Sequence, residues 1–128
     1  MEDQRFFVQI VKDKMFFFLI FKFYLLIFFS VIAEDFVYGI DDIPVFKNME
    51  YVEDSNVLFD KIDGRFVSSE MVGNYHVNDI KEFYISVLPN LGWEKIDENL
   101  FERGSEYLEI RLKSFNSISK IKFSIYPK

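Results

Sequence analysis

Among 128 residues, His76 is the one side chain that ordinarily titrates near neutral pH, and Asp79 and Glu82 follow it within two helical turns. Histidine beside carboxylates is a minimal kit for general acid–base chemistry, so a small hydrolase using His76 and those acids is one function class to weigh. Against it, His76 immediately precedes a predicted helix start, where a solvated histidine is ordinary. Ser68 and Ser69 could supply a hydroxyl nucleophile, but they fall within a predicted strand and lack the glycines of a nucleophile elbow. The acid pairs Asp41-Asp42, Glu53-Asp54 and Asp97-Glu98 lie in predicted turns and loops, where adjacent carboxylates are solvated, and none follows a calcium-loop pattern. The chain has no cysteine, which removes thiolate catalysis, disulfides and Cys-ligated metal, and its single histidine removes any site that needs two. Five glycines stand singly at positions 39, 64, 73, 92 and 104, so there is no glycine-rich phosphate loop and no cofactor is expected. The inventory favours a protein that binds over one that catalyses.

A second constellation is cationic. Arg111 and Lys113 alternate with Leu108, Ile110 and Leu112, while Lys120 and Lys122 alternate with Ile121, Phe123 and Ile125, so the four cations share a face on two predicted strands. Arg65, beside the Asp63-Gly64 turn, adds a fifth. These five residues are the expected contacts for an acidic partner or lipid head groups; the competing reading is a solvated stripe that protects a sheet edge from aggregation. The whole chain is acidic, with 15 basic and 21 acidic residues and a net charge of −6. Residues 34–128 hold 11 basic and 18 acidic groups, net −7, which argues against nucleic acid, whose phosphates demand a cationic surface. Seventeen phenylalanines, no threonine and one alanine suggest codon bias, which weakens aromatic richness as a sign of ligand stacking.

The elements that must position these groups follow from periodicity. Val57-Leu58-Phe59 and Arg65 to Gly73 flank Asp63-Gly64 and read as an antiparallel hairpin. Val77, Ile80, Phe83, Tyr84, Val87, Leu88 and Leu91 make one helical stripe, with Asn78 as the expected N-cap and Pro89 as the stop. Trp93 to Ile96, Leu100 to Arg103, Glu106 to Lys113 and a last strand around Ile121 to Ile125 alternate as half-wet strands should. The prediction is an α+β two-layer sandwich of order β-β-α-β-β-β-β over residues 57–128, one helix covering an antiparallel sheet, with Phe83, Tyr84, Val87, Trp93, Leu108, Ile110, Ile121 and Phe123 in the core. Residues 34–56 show no clear period and read as an extended arm, whose Ile43-Pro44-Val45-Phe46 could lie along a sheet edge.

Residues 1–33 read as a leader followed by a signal peptide or membrane anchor. Met15 to Ala33 contains only Lys22 and Ser30 as clearly polar residues, and a helix of that length rises about 28 Å, near the thickness of bilayer hydrocarbon. Phe23 to Ala33 fits a signal-peptide core, with small or moderate side chains at Val31 and Ala33 for cleavage before Glu34. Arg5, Lys12 and Lys14 precede the run and acids follow it, so the downstream part is expected to cross the membrane. The expected address is periplasmic or secreted after cleavage near Ala33, or inner-membrane anchored if residues 15–33 stay attached; Met15 could itself be the start.

Four stretches, DDIP (Asp41–Pro44), FDKIDGRFV (Phe59–Val67), FYISVLPNLGW (Phe83–Trp93) and LFERGSEYLEI (Leu100–Ile110), resemble a family of small exported alphaproteobacterial proteins of unassigned function. The resemblance implies a bacterial, exported, single-domain protein and supplies no catalytic residues. Taken together, the sequence leads us to expect a non-catalytic binding or structural module of the cell envelope with a protein, lipid or cell-wall partner.

Overall fold

The computed structural model describes residues 2–27 and 34–128, in two compact units that divide after residue 33. In the first, Glu2–Ile27 is a single α-helix (α1) whose side chains from Val8 to Phe23 are exposed. The rest of the apolar run, residues 28–33, and the expected cleavage point at Ala33 lie outside the described residues. Among those described, no helix is long and apolar enough to cross a membrane.

The second unit, Glu34–Lys128, is an α+β structure in which a helix packs on one face of a seven-stranded antiparallel sheet. In chain order its elements are β1 (Glu50–Tyr51), β2 (Val57–Lys61), β3 (Gly64–Gly73), α2 (Val77–Val87) with a 3-10 turn (Leu88–Leu91), β4 (Glu94–Asp97), β5 (Leu100–Arg103), β6 (Glu106–Phe115) and β7 (Ile118–Pro127). The spatial order is β1-β3-β7-β6-β5-β4, with β2 also on β3. Three strands therefore precede the helix where two were expected. The additional one, β1, is two residues long and too short to show an alternation. The first hairpin turns at Ile62-Asp63, one residue earlier than expected, because Lys61 pairs directly with Gly64.

The seven-residue stripe folds as expected, with its cap displaced. His76, not Asn78, is the N-cap residue of α2, and its side chain makes no capping hydrogen bond. Pro89 converts the last turn to 3-10 geometry, and Gly92 closes it at φ 84°. Ile80, Tyr84 and Leu88 are fully buried, whereas Phe83 and Val87 are only partly so. Trp93, Leu108, Ile110, Ile121 and Phe123 are buried as expected. The Tyr84 ring meets Phe123 edge-on at 5.2 Å.

Residues 34–56 do not form an arm outside the domain. A helix body about 10 Å across cannot cover six strands spaced at about 4.8 Å, roughly 24 Å in all. The 34–49 segment supplies the missing cover, burying Val37, Ile40, Ile43, Phe46 and Met49 in the same core. Its chain doubles back on itself: Val37 N–H bonds Ile43 C=O at 2.8 Å, and Val45 N–H bonds Asp35 C=O at 2.8 Å. Pro44 thus bridges to Phe36 and does not line a sheet edge.

Three side chains pin this segment down. The buried Tyr84 hydroxyl donates to Pro44 C=O (2.9 Å) and accepts from Phe46 N–H (3.1 Å). Arg65 grips Glu106 with two nitrogens (2.7 and 3.3 Å) and donates to Gly39 C=O (3.1 Å). Arg103 pairs with Asp42, donates to Leu91 C=O (3.0 Å) and lies over the buried Trp93 ring at 4.2 Å.

Candidate functional site

The expected cationic residues divide into two places. Arg65 projects from the helix-covered face of β3, the face that carries Val67 and Ser69, and is engaged by Glu106 and Gly39. The Glu106 hydrogen bond raises the already high pKa of its guanidinium. Its surroundings are those of a clamp. Arg111, Lys113, Lys120 and Lys122 instead converge on the opposite, open face of the sheet.

Convergence follows from strand register. A tight turn at Asn116-Ser117, with φ of 46° and 67°, joins β6 to β7; both central residues are left-handed, as a two-residue hairpin of this twist requires. Pairing then sets Phe115 opposite Ile118, Lys113 opposite Lys120, and Arg111 opposite Lys122. Alternate residues Leu108, Ile110, Ile121 and Phe123 point into the core, so these three rungs face outward. Next to them on β3, Val72 is opposite Lys120 and Glu70 opposite Lys122. Together these side chains line a concave surface of ≈ 500 Å³.

Its electrostatics are unusual. Like charges directly opposite across an antiparallel pair repel, by up to about 1 kcal/mol, and here two such rungs are adjacent. Compensation within the face is partial: Glu70 lies 3.5 Å from Lys120 and 4.0 Å from Lys122, and Glu109 lies 2.8 Å from Arg111. Lys113 makes no ion pair among the described residues. Edge protection accounts for half of the stripe at most: β5 pairs with β6 only as far as Glu109, so Arg111 and Lys113 border a free edge, whereas Lys120 and Lys122 lie on β7, paired on both sides by β3 and β6. Sequence reasoning missed Glu70, Val72, Phe115 and Ile118, the acid and apolar neighbours of the cations. Asn116-Ser117 between two alternating runs was the signal that could have placed Phe115 and Ile118 on the same rung.

His76 lies at the other feature of this sheet end, a hollow of ≈ 460 Å³ lined by Asn74, Tyr75, Val77, Asn78, Ser114 and Ser117. Neither Asp79 nor Glu82 is in that lining, so the acid–base grouping considered for a hydrolase is not assembled there. Ser69 is buried and donates to Asn56 Oδ1 at 2.7 Å, while Ser68 is on the open face opposite Val57. Among the described residues no three His, Asp or Glu side chains gather as a metal site.

No family model, no curated protein and no solved structure matches the chain.

Proposed function

We propose that the protein is a non-catalytic binding module of the cell envelope, carried across the membrane by its N-terminal segment, and that it holds an anionic partner on the open face at Arg111, Lys113, Lys120 and Lys122. One observation carries the reading: two adjacent rungs of directly opposed cations, only partly neutralised and with Lys120 and Lys122 on a strand paired on both sides, within a domain whose net charge is −7. Repulsion of this kind lowers the stability of the free protein and is relieved when an anion sits between the charges. Sites where local rules are broken are where function concentrates. Arg65 belongs to the internal framework in this reading and is not a contact.

Proximity crosslinking from the domain in intact cells, compared with a variant carrying glutamate at all four stripe positions, is the test. Wild-type crosslinks that disappear in the reversed variant support the reading; partners retained despite reversal contradict it. N-terminal sequencing of protein from cell fractions addresses export, since intact soluble chain in the cytoplasm is incompatible with it.

A further inference from the structure

The open face has an order along the β6–β7 hairpin that a generic anion site does not need. At the outermost rung are Phe115, 78% exposed, and Ile118, 52% exposed. Behind them come Lys113 with Lys120, then Arg111 with Lys122. Successive rungs on one face are two residues, or about 7 Å, apart. A bilayer leaflet has the same sequence of layers: hydrocarbon, then a headgroup zone roughly 5–8 Å deep, then an ionic layer that decays over about 8 Å. With the tip in hydrocarbon, the first cationic rung reaches the phosphates and the second lies at the surface.

We propose that this hairpin docks on a membrane of anionic phospholipid, inserting Phe115 and Ile118 and seating the four cations among the headgroups. The inference rests on the envelope-binding reading above and names the partner at the same surface. An apolar pair at the free end of a hairpin is buried by a fluid that surrounds it without any matching shape, whereas a folded acidic protein would need an apolar cleft fitted to the tip beside its acidic surface. The acidic excess over the rest of the domain is repelled by the same membrane, so the charge distribution also sets the orientation.

The test uses the full chain, so α1 and the residues after it are present in every arm. Because the chain has no cysteine, an environment-sensitive fluorophore can be placed uniquely at Ile118→Cys, with Phe115 retained, or at Ile62→Cys on the opposite end of the sheet. Vesicles are phosphatidylcholine alone or phosphatidylcholine with phosphatidylglycerol. The expected result is a brighter, blue-shifted emission at position 118 on the phosphatidylglycerol vesicles only, reversed by high salt, with position 62 unchanged on both. Each cation near an anionic surface is worth about fivefold in partition, so Lys113→Gln with Lys120→Gln should weaken the response roughly 25-fold; unchanged Trp93 fluorescence verifies that this variant is folded. A label at 118 that stays aqueous on phosphatidylglycerol, or responds equally on neutral lipid, overturns the proposal. If it stays aqueous while cellular crosslinks still depend on the stripe, the partner is an acidic macromolecule and the membrane assignment alone fails. If neither signal depends on the stripe, both readings fail.

Discussion

Removing the Tyr84 hydroxyl is the most informative single-atom test of how the domain is held together. The side chain is 2% exposed, and its oxygen joins Phe46 N–H and Pro44 C=O, the two backbone groups that tie the 34–49 segment to α2. Tyr84→Phe keeps the ring against Phe123 and deletes both bonds. Phe46 is 6% exposed, so its N–H is left without water; a stranded buried donor costs about 1–3 kcal/mol, and loss of the Pro44 bond adds about 1 kcal/mol less whatever water restores. We expect a net loss of about 2–3 kcal/mol, a large share of a small domain's stability, or roughly 10–20 °C in Tm for a domain of this size. Urea unfolding followed by fluorescence of Trp93, the sole tryptophan and fully buried, reads this directly. The pH dependence gives an independent check. Burial raises the Tyr84 pKa well above its ordinary 10.0. The native state therefore keeps a proton that the unfolded state loses, and wild-type stability, intact below pH 10, falls as pH rises beyond it, at up to 1.36 kcal/mol per pH unit. The phenylalanine variant lacks that share of the slope, and the remainder comes partly from Tyr51, whose pKa burial also raises. A stability change below about 0.5 kcal/mol, with an unaltered alkaline slope, would refute the bridge.

Arg65→Lys should cost about 1–2 kcal/mol, because an ammonium cannot hold both Glu106 oxygens and Gly39 C=O at once; a double-mutant cycle with Glu106→Gln should return a coupling near 1 kcal/mol, modest because both side chains remain partly exposed. Gly39→Ala should destabilise by roughly 1–3 kcal/mol, since φ is +74° and the added Cβ would sit 2.9 Å from Val67 Cγ1; thermal unfolding at neutral pH measures it. Leu88→Ala should cost about 3–4 kcal/mol and Phe83→Ala only about 2 kcal/mol, as Leu88 is wholly buried and Phe83 is not; equal losses in urea titrations would show that the helix is rotated from this packing.

Elements with a repeated pattern were legible before any coordinates. The stripe from Val77 to Leu91 and the alternation through β6 and β7 state, residue by residue, which side faces the core, because 3.6- and 2-residue periods are local properties of the backbone. The four-cation face was legible for the same reason. What escaped was aperiodic. Val37, Ile40, Ile43, Phe46 and Met49 lie at spacings of three that suit neither a strand nor a helix broken by Gly39 and Pro44, and β1 spans only two residues. Arg65 looked like a surface cation because its partners, Glu106 and Gly39, are 41 and 26 residues away.

The order and kinds of residue rule out cysteine sites, paired-histidine sites and glycine-rich phosphate loops in this chain. They also set the secondary structure of each periodic stretch and the common face of Arg111, Lys113, Lys120 and Lys122. Folding of the whole chain fixed what periodicity leaves open: that β7 lies between β3 and β6, that cation faces cation on two rungs with Phe115 and Ile118 beyond them, and that the 34–49 segment completes the core. The division has one physical cause. Periodicity records which side of an element meets the core, but register, strand order and the closing of long loops depend on the free energy of the whole packed chain.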